Sequence, residues 1–176
     1  MIGKLRTAPA LAQPDLLAAS VEDALRSWQH AEAVLVAPID PSLADTAAFC
    51  EAYDVGLEES ANCVVVAGKR GGELRYAACL VLATTRADVN GAVRRYLDVR
   101  KASFAPMDTA VALTGMEYGG ITPIGLPKDW PVLIDSRVAA VPNVIIGSGV
   151  RHSKIVLPGA LLAALPGAEV IPDLAR

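Results

Sequence analysis

The sequence predicts an α+β domain built on a mixed, strongly curved sheet. Three observations lead there. Short apolar runs rich in Val, Ile and Leu recur at lengths that suit strands. Between them lie stretches whose apolar residues recur every three to four positions, as on one helix face. Gly, Pro, Asn and Asp mark the changes from one kind of segment to the other.

The bulk numbers narrow the class. A chain of 176 residues is most simply one domain, long enough to bury a core without disulfides or a structural metal. Hydrophobic residues make up 53% and mean hydropathy is +0.39, a globular composition that leans apolar. No apolar run reaches the roughly 18 residues of a membrane span, and Met1 to Arg6 lead into no signal-like segment. The expectation is a soluble, cytoplasmic protein with no membrane partner. Cys50, Cys63 and Cys79 have no CxxC spacing and read as reduced, buried thiols. A net charge of −3, from 16 basic and 19 acidic residues, argues against sequence-independent nucleic-acid binding. A nucleic-acid partner would need a local basic patch or help from another protein.

Each element has its own signal. Residues 1–13 are Ala-rich with Pro9 and read as a loosely held arm before a domain spanning 14–176. Ser20-Val21-Glu22-Asp23 resembles a capping box opening a helix to about His30. The run 33–38 reads as a strand ended by Pro38, and Asp45 caps a helix from Thr46 to about Tyr53 that Gly56 stops. Asn62 to Ala67 is a buried strand, and Gly68 to Gly72 turn it into a second strand over 74–83. Asp88 begins a helix with Val89, Val93 and Leu97 on one face. Residues 102–104 form a short strand and Met107 to Leu113 a short helix ending at Gly115. Val132–Ile134, Val144–Ile146 and Ile155–Leu157 are further strands. Pro158 opens a last helix over Leu161 to Leu165, Gly167 stops it, and Glu169 to Ile171 close with a strand.

Four motifs, in order, carry a family resemblance: Thr114-Gly115; Gly119-Gly120-Ile121-Thr122-Pro123-Ile124-Gly125; Ile134-Asp135; and Gly147-Ser148-Gly149. Together they resemble the YbaK/prolyl-tRNA-synthetase-associated domain family, over a stretch from about Ala44 to the C-terminus. The resemblance implies a barrel-like sheet flanked by helices. It also implies trans-editing: hydrolysis of the ester of a mischarged aminoacyl-tRNA, with that tRNA's acceptor end and an aminoacyl-tRNA synthetase as candidate partners. No cofactor is expected, since the sequence has neither a nucleotide-binding loop nor metal-ligand spacing. Oligomeric state is not legible.

The candidate site centres on Gly119 to Pro123. Backbone N–H groups of Gly119, Gly120 and Ile121 are candidates for stabilising the negative charge that ester hydrolysis places on the carbonyl oxygen. The same composition would also suit a plain turn. Thr122, Pro123, Ile124 and Val64 are candidate substrate contacts, and Gly147, Ser148 and Gly149 a candidate opposite wall or a simple bend. Ser148 is not a nucleophile candidate, because no Gly-x-Ser-x-Gly elbow surrounds it. Many family members carry a lysine on the first central strand; aligned on that strand and its hairpin, the position falls on Asn62, which can exchange hydrogen bonds but supplies no cation. Lys69, Lys101 and Lys154 do not replace it by position. Arg151, His152 and Lys154 are candidates for meeting tRNA phosphates, or a solvated loop. His152 can also be weighed as a general base, against an exposed or structural role. Arg94 and Arg95 are either solvated surface or a tRNA backbone contact. The functional alternative is a catalytically silent module that binds aminoacyl-tRNA or an amino acid; a third is a hydrolase of an unrelated ester.

Overall fold

The computed structural model describes residues 2–176. The first surprise is at the start of the chain. β1 (Ala8–Pro9) pairs antiparallel with β2 (Leu35–Pro38), Ala8 opposite Val36. Leu5 and Ala10 are buried, and the Lys4 N–H donates to the Tyr53 carbonyl at 2.8 Å. Residues 2–13 are therefore fastened down, not loosely held. Two apolar anchors and a few backbone bonds are enough to overcome the fraying usual at a terminus.

Helix α1 (Ala19–Ser27) buries Val21 and Leu25. It is shorter than the expected span to His30, and its N-cap is Ala18, with no side-chain cap. The expected capping box at Ser20 is not used. Tertiary structure sets the helix start instead: the Ala18 N–H donates to the Ser148 carbonyl at 3.2 Å. α2 (Thr46–Tyr53) has the bounds its cap predicted, with the Asp45 carboxylate accepting from the Ala47 and Ala48 N–H groups at 3.2 and 3.5 Å. It stops at Asp54, which takes a left-handed conformation at φ 56°, two residues before Gly56.

β3 (Ala61–Arg70) and β4 (Glu73–Leu82) form an antiparallel hairpin in register from Ala61–Leu82 to Arg70–Glu73. Its turn is only Gly71-Gly72, at φ +59° and +83°, so Gly68 to Arg70 extend the strand. Val89–Val93 form a π-helical turn running into α3 (Arg94–Leu97), and Val89, Val93 and Leu97 are buried as their spacing predicted. β5 (Ala102–Phe104) pairs with β3, and α4 (Met107–Thr114) ends at Gly115 at φ +69°.

β6 (Val132–Asp135) runs parallel to β4, and Asp135 caps α5 (Ser136–Ala139) by accepting from the Arg137 N–H at 2.8 Å. β7 (Val144–Gly147) and β8 (Ser153–Leu157) are antiparallel neighbours. Residues Gly159–Ala164 form a 3-10 helix where an α-helix was expected, and β9 (Ala168–Ile171) pairs parallel to β6.

The architecture is thus mixed α+β, with two sheets and flanking helices. One sheet is antiparallel, in the order β1-β2-β8-β7; the other is mixed, in the order β5-β3-β4-β6-β9. They touch through one isolated parallel bridge, Ser60 to Ile145. The main core lies between the sheets and α1, with Leu25, Leu80, Ile134, Ile146 and Ile155 at its centre. Among the described residues no helix is long and apolar enough to cross a membrane. Removing the α2 cap by Asp45→Ala should cost about 1 kcal/mol of stability, read as a lower urea midpoint at unchanged m-value.

Candidate active site

A cavity of about 400 Å³ opens where the two sheets meet. Four pieces of chain wall it. β3 contributes Asn62, Cys63 and Val64, and the start of α2 contributes Asp45 and Thr46. The glycine loop contributes Tyr118, Gly119 and Ile121, and β7, β8 and the turn between them supply Gly147, Lys154 and Arg151.

The glycine loop and the 147–149 turn are laced together by backbone bonds. The Glu117 N–H donates to the Gly149 carbonyl at 2.8 Å, and the Gly149 N–H to the Gly120 carbonyl at 2.7 Å. That approach requires glycine: a Cβ at Gly147 would lie 2.6 Å from the Gly120 oxygen and 2.7 Å from the Ile121 oxygen. Gly119 sits at φ +80°. The Gly120 N–H is committed to the Glu117 carbonyl at 2.9 Å, so it is not available as an oxyanion donor. Among the described residues the Gly119 and Ile121 N–H groups have no acceptor. Arg151 braces the same loop. Its backbone N–H donates to Glu117 Oε1 at 2.8 Å, Nη1 to the Tyr118 carbonyl at 2.9 Å, and Nη2 to the Pro41 carbonyl at 3.2 Å.

Across the cavity, Asn62 Oδ1 accepts a 2.7 Å hydrogen bond from Thr46 Oγ1. Cys63 beside it is a neutral thiol, because burial, the largest cause, and the adjacent Cys79 sulfur push its pKa far above the usual thiol value.

Lys154 departs from the expectation that it shares a phosphate-contacting or solvated loop with Arg151 and His152: it is 8% exposed and lies in the cavity wall. Nζ reaches the Ala44 carbonyl at 3.4 Å and sits 5.2 Å from the Phe49 ring centroid. Burial is the main cause that lowers its pKa. All five residues of β8 are buried, so both faces of that strand are covered and no polar alternation marks where Lys154 points.

Several other candidates lie elsewhere. His152 is exposed, with Nε2 3.1 Å from the Asp15 carbonyl, and does not line the cavity. Arg94 and Arg95 are on α3, where Arg94 Nε donates to the Asn90 carbonyl at 2.8 Å. Ser148 is fully buried in a hydroxyl network, accepting from Ser153 Oγ at 2.6 Å, and Gly149 packs against Ala18. Thr122 is fully buried, and its hydroxyl has no partner. Pro123 and Ile124 line a second, largely apolar cavity of about 350 Å³, with Trp28, Leu126 and Trp130. The loop therefore faces two cavities, and only its first half belongs to the one with Asn62. Along an irregular loop no periodicity reveals such a change of side.

The two-sheet α+β fold is shared with solved proteins. A proposed trans-editing enzyme for prolyl-tRNA synthetase is 21% identical and superposes with a TM-score of 0.74 over 94% of this chain and 96% of that one. The hypothetical protein APE2540 is 18% identical, with a TM-score of 0.77 over 89% of this chain and 99% of that one. Residues 40–165 match the family model described as the aminoacyl-tRNA editing domain. The protein belongs to that family, and the matched stretch contains every residue of the cavity wall.

The lacing can be tested directly. Gly147→Ala should destabilise the fold by roughly 1–3 kcal/mol, because its methyl group must push two carbonyls aside. Denaturant titration would read this, and amide shifts confined to 117–121 and 147–151 would locate it.

Proposed function

We propose that the protein is a trans-acting aminoacyl-tRNA deacylase that removes a wrongly attached small amino acid. The observation that carries this reading is the cavity itself, lined by Asn62 and Thr46 on one side and by the glycine loop, Arg151 and Lys154 on the other, inside the stretch that matches the editing-domain family. The two sheets, meeting at Ser60 and Ile145, are read as opposite sides of one strongly curved, barrel-like arrangement bordering this cavity. Residues 14–176 act as a single domain with residues 1–13 as its N-terminal arm, docked over residues 2–13, working in the cytoplasm on the acceptor end of the tRNA. A synthetase is the natural companion.

The chemistry is ester hydrolysis. The water oxygen forms a bond to the ester carbonyl carbon, and charge collects on the carbonyl oxygen. When the intermediate collapses, the bond to the ribose oxygen breaks, that oxygen takes up a proton, and free amino acid and tRNA leave. The Gly119 and Ile121 N–H groups are the oxyanion donors of this scheme, held at fixed positions by the lacing of their loop. Asn62 contributes hydrogen bonds, and with no imidazole in the wall the substrate's own 2′-hydroxyl assists the attacking water. Val64 and Ile121 bound the space left for a side chain. Selection by volume suits an editing site, since synthetases separate small side chains by only about 1–3 kcal/mol per methylene.

The alternative, a silent binding module, draws its support from Asn62 standing where a lysine is common in the family. Hydrolysis of tRNAs charged with Ala, Ser, Thr, Cys or Pro separates the two. The deacylase reading expects the wild type to release one of these. Asn62→Ala should lose roughly ten-fold or more in kcat/KM, and Asn62→Lys should be neutral or harmful. No release by the wild type, with release appearing in Asn62→Lys, would establish the binding module instead.

A further inference from the structure

We propose that the Lys154 ammonium is the substrate anchor of this cavity, meeting the acceptor oxygens of the aminoacyl ester and the adjoining ribose hydroxyl. The inference rests on the deacylase reading for its substrate but on independent geometry for its residue. Lys154 enters from β8, between Ala37 of β2 and Gly147 of β7, whereas Asn62 enters from β3 in the other sheet.

The argument begins with cost. An ammonium taken out of water is destabilising unless a carboxylate or several acceptors replace the lost hydration. Lys154 is 92% buried, and its one hydrogen bond, to the Ala44 carbonyl, is long at 3.4 Å. Among the described residues no carboxylate lies within ion-pairing distance of it. An ammonium has three donors, so two are unused. The Phe49 ring at 5.2 Å offers a cation–π contact, which steadies the charge without consuming those donors.

Of the neighbouring charges, Asp45 turns one carboxylate oxygen, Oδ1, to the Ala47 and Ala48 N–H groups and makes no ion pair with Lys154, and Arg151 spends its guanidinium on the Tyr118 and Pro41 carbonyls. Cys50 nearby is a thiol kept neutral by burial. Besides the exposed Asp45 Oδ2, the cavity keeps a set of free donors. The Lys154 ammonium is joined by the Asn62 amide, whose oxygen is taken by Thr46, and by the Gly119 and Ile121 N–H groups. Such unsatisfied donors complement a ligand rich in acceptors. An aminoacyl ester on a ribose carries a carbonyl oxygen, a bridging oxygen and a neighbouring hydroxyl within a few bonds.

A structural role would be served better by an uncharged side chain. Methionine fills a similar volume against Phe49 without the buried charge, so Lys154→Met should keep or raise the melting temperature. In the same protein, kcat/KM and affinity for a non-hydrolysable amide analogue of aminoacyl-adenosine should each fall about ten-fold or more. Lys154→Gln serves as a second variant should the methionine form fold poorly. Adding Asn62→Lys to Lys154→Met should recover part of both losses, because the cation returns from the facing wall.

If the wild type deacylates and both Lys154 variants stay within about two-fold of it in turnover and analogue binding, the anchor is overturned while the deacylase reading stands. If the wild type releases nothing from any charged tRNA, the deacylase reading falls and analogue binding decides the anchor. Binding lost with Lys154 supports it, and no binding, or binding indifferent to Lys154, overturns it.

Discussion

Two backbone hydrogen bonds, from Gly149 to Gly120 and from Glu117 to Gly149, fix the relation between the parts of this molecule that matter most. They tie the glycine loop to the turn after β7. From that tie the position of Arg151, the clearance at Gly147 and the start of α1 at Ala18 all follow. Side chains could not bring two main chains this close, and so the sequence around both turns is written in glycine.

The rest of the cavity wall is costly by comparison. β3 and the start of α2 hold an amide and a hydroxyl, and β8 across from them holds a poorly partnered ammonium, where apolar packing would be more favourable. Folds commonly concentrate such locally unfavourable choices at functional sites, because a ligand that satisfies them gains what the fold has lost. Phe49 links the two requirements. It is fully buried beneath the antiparallel sheet, where it completes a core with Leu5, Ile39 and Val156, and its ring also supports the ammonium.

How much of this was legible depends on the reach of each interaction. Asp45 could be read as a cap because its partners lie two and three residues away, and Gly71-Gly72 as a turn because the hairpin is local. Val89, Val93 and Leu97 showed their common face through spacing alone, even though the first turn proved to be π-helical. The order β1-β2-β8-β7 was not legible, because it joins residues more than a hundred positions apart and β1 is only two residues long. Ser20 looked like a cap, but α1 takes its start from Ser148, far along the chain. The glycine motifs pointed to the right loop without showing that it separates two cavities. Lys154 was hidden for a related reason: a lysine beside Arg151 and His152 looks solvated until the strand on either side of it is known.

The lacing also bears on how such a site can diversify. Because one side of the cavity is made of main chain and permits no Cβ at Gly147, substitutions there deform the fold before they alter recognition. The side open to exchange is β3, where Asn62 and Val64 line the cavity from a regular strand held in register by its hairpin partner. New substrate preferences can therefore arise by exchanging a few strand residues while the backbone wall is inherited intact, much as a lock is rekeyed by changing pins and leaving its cylinder alone.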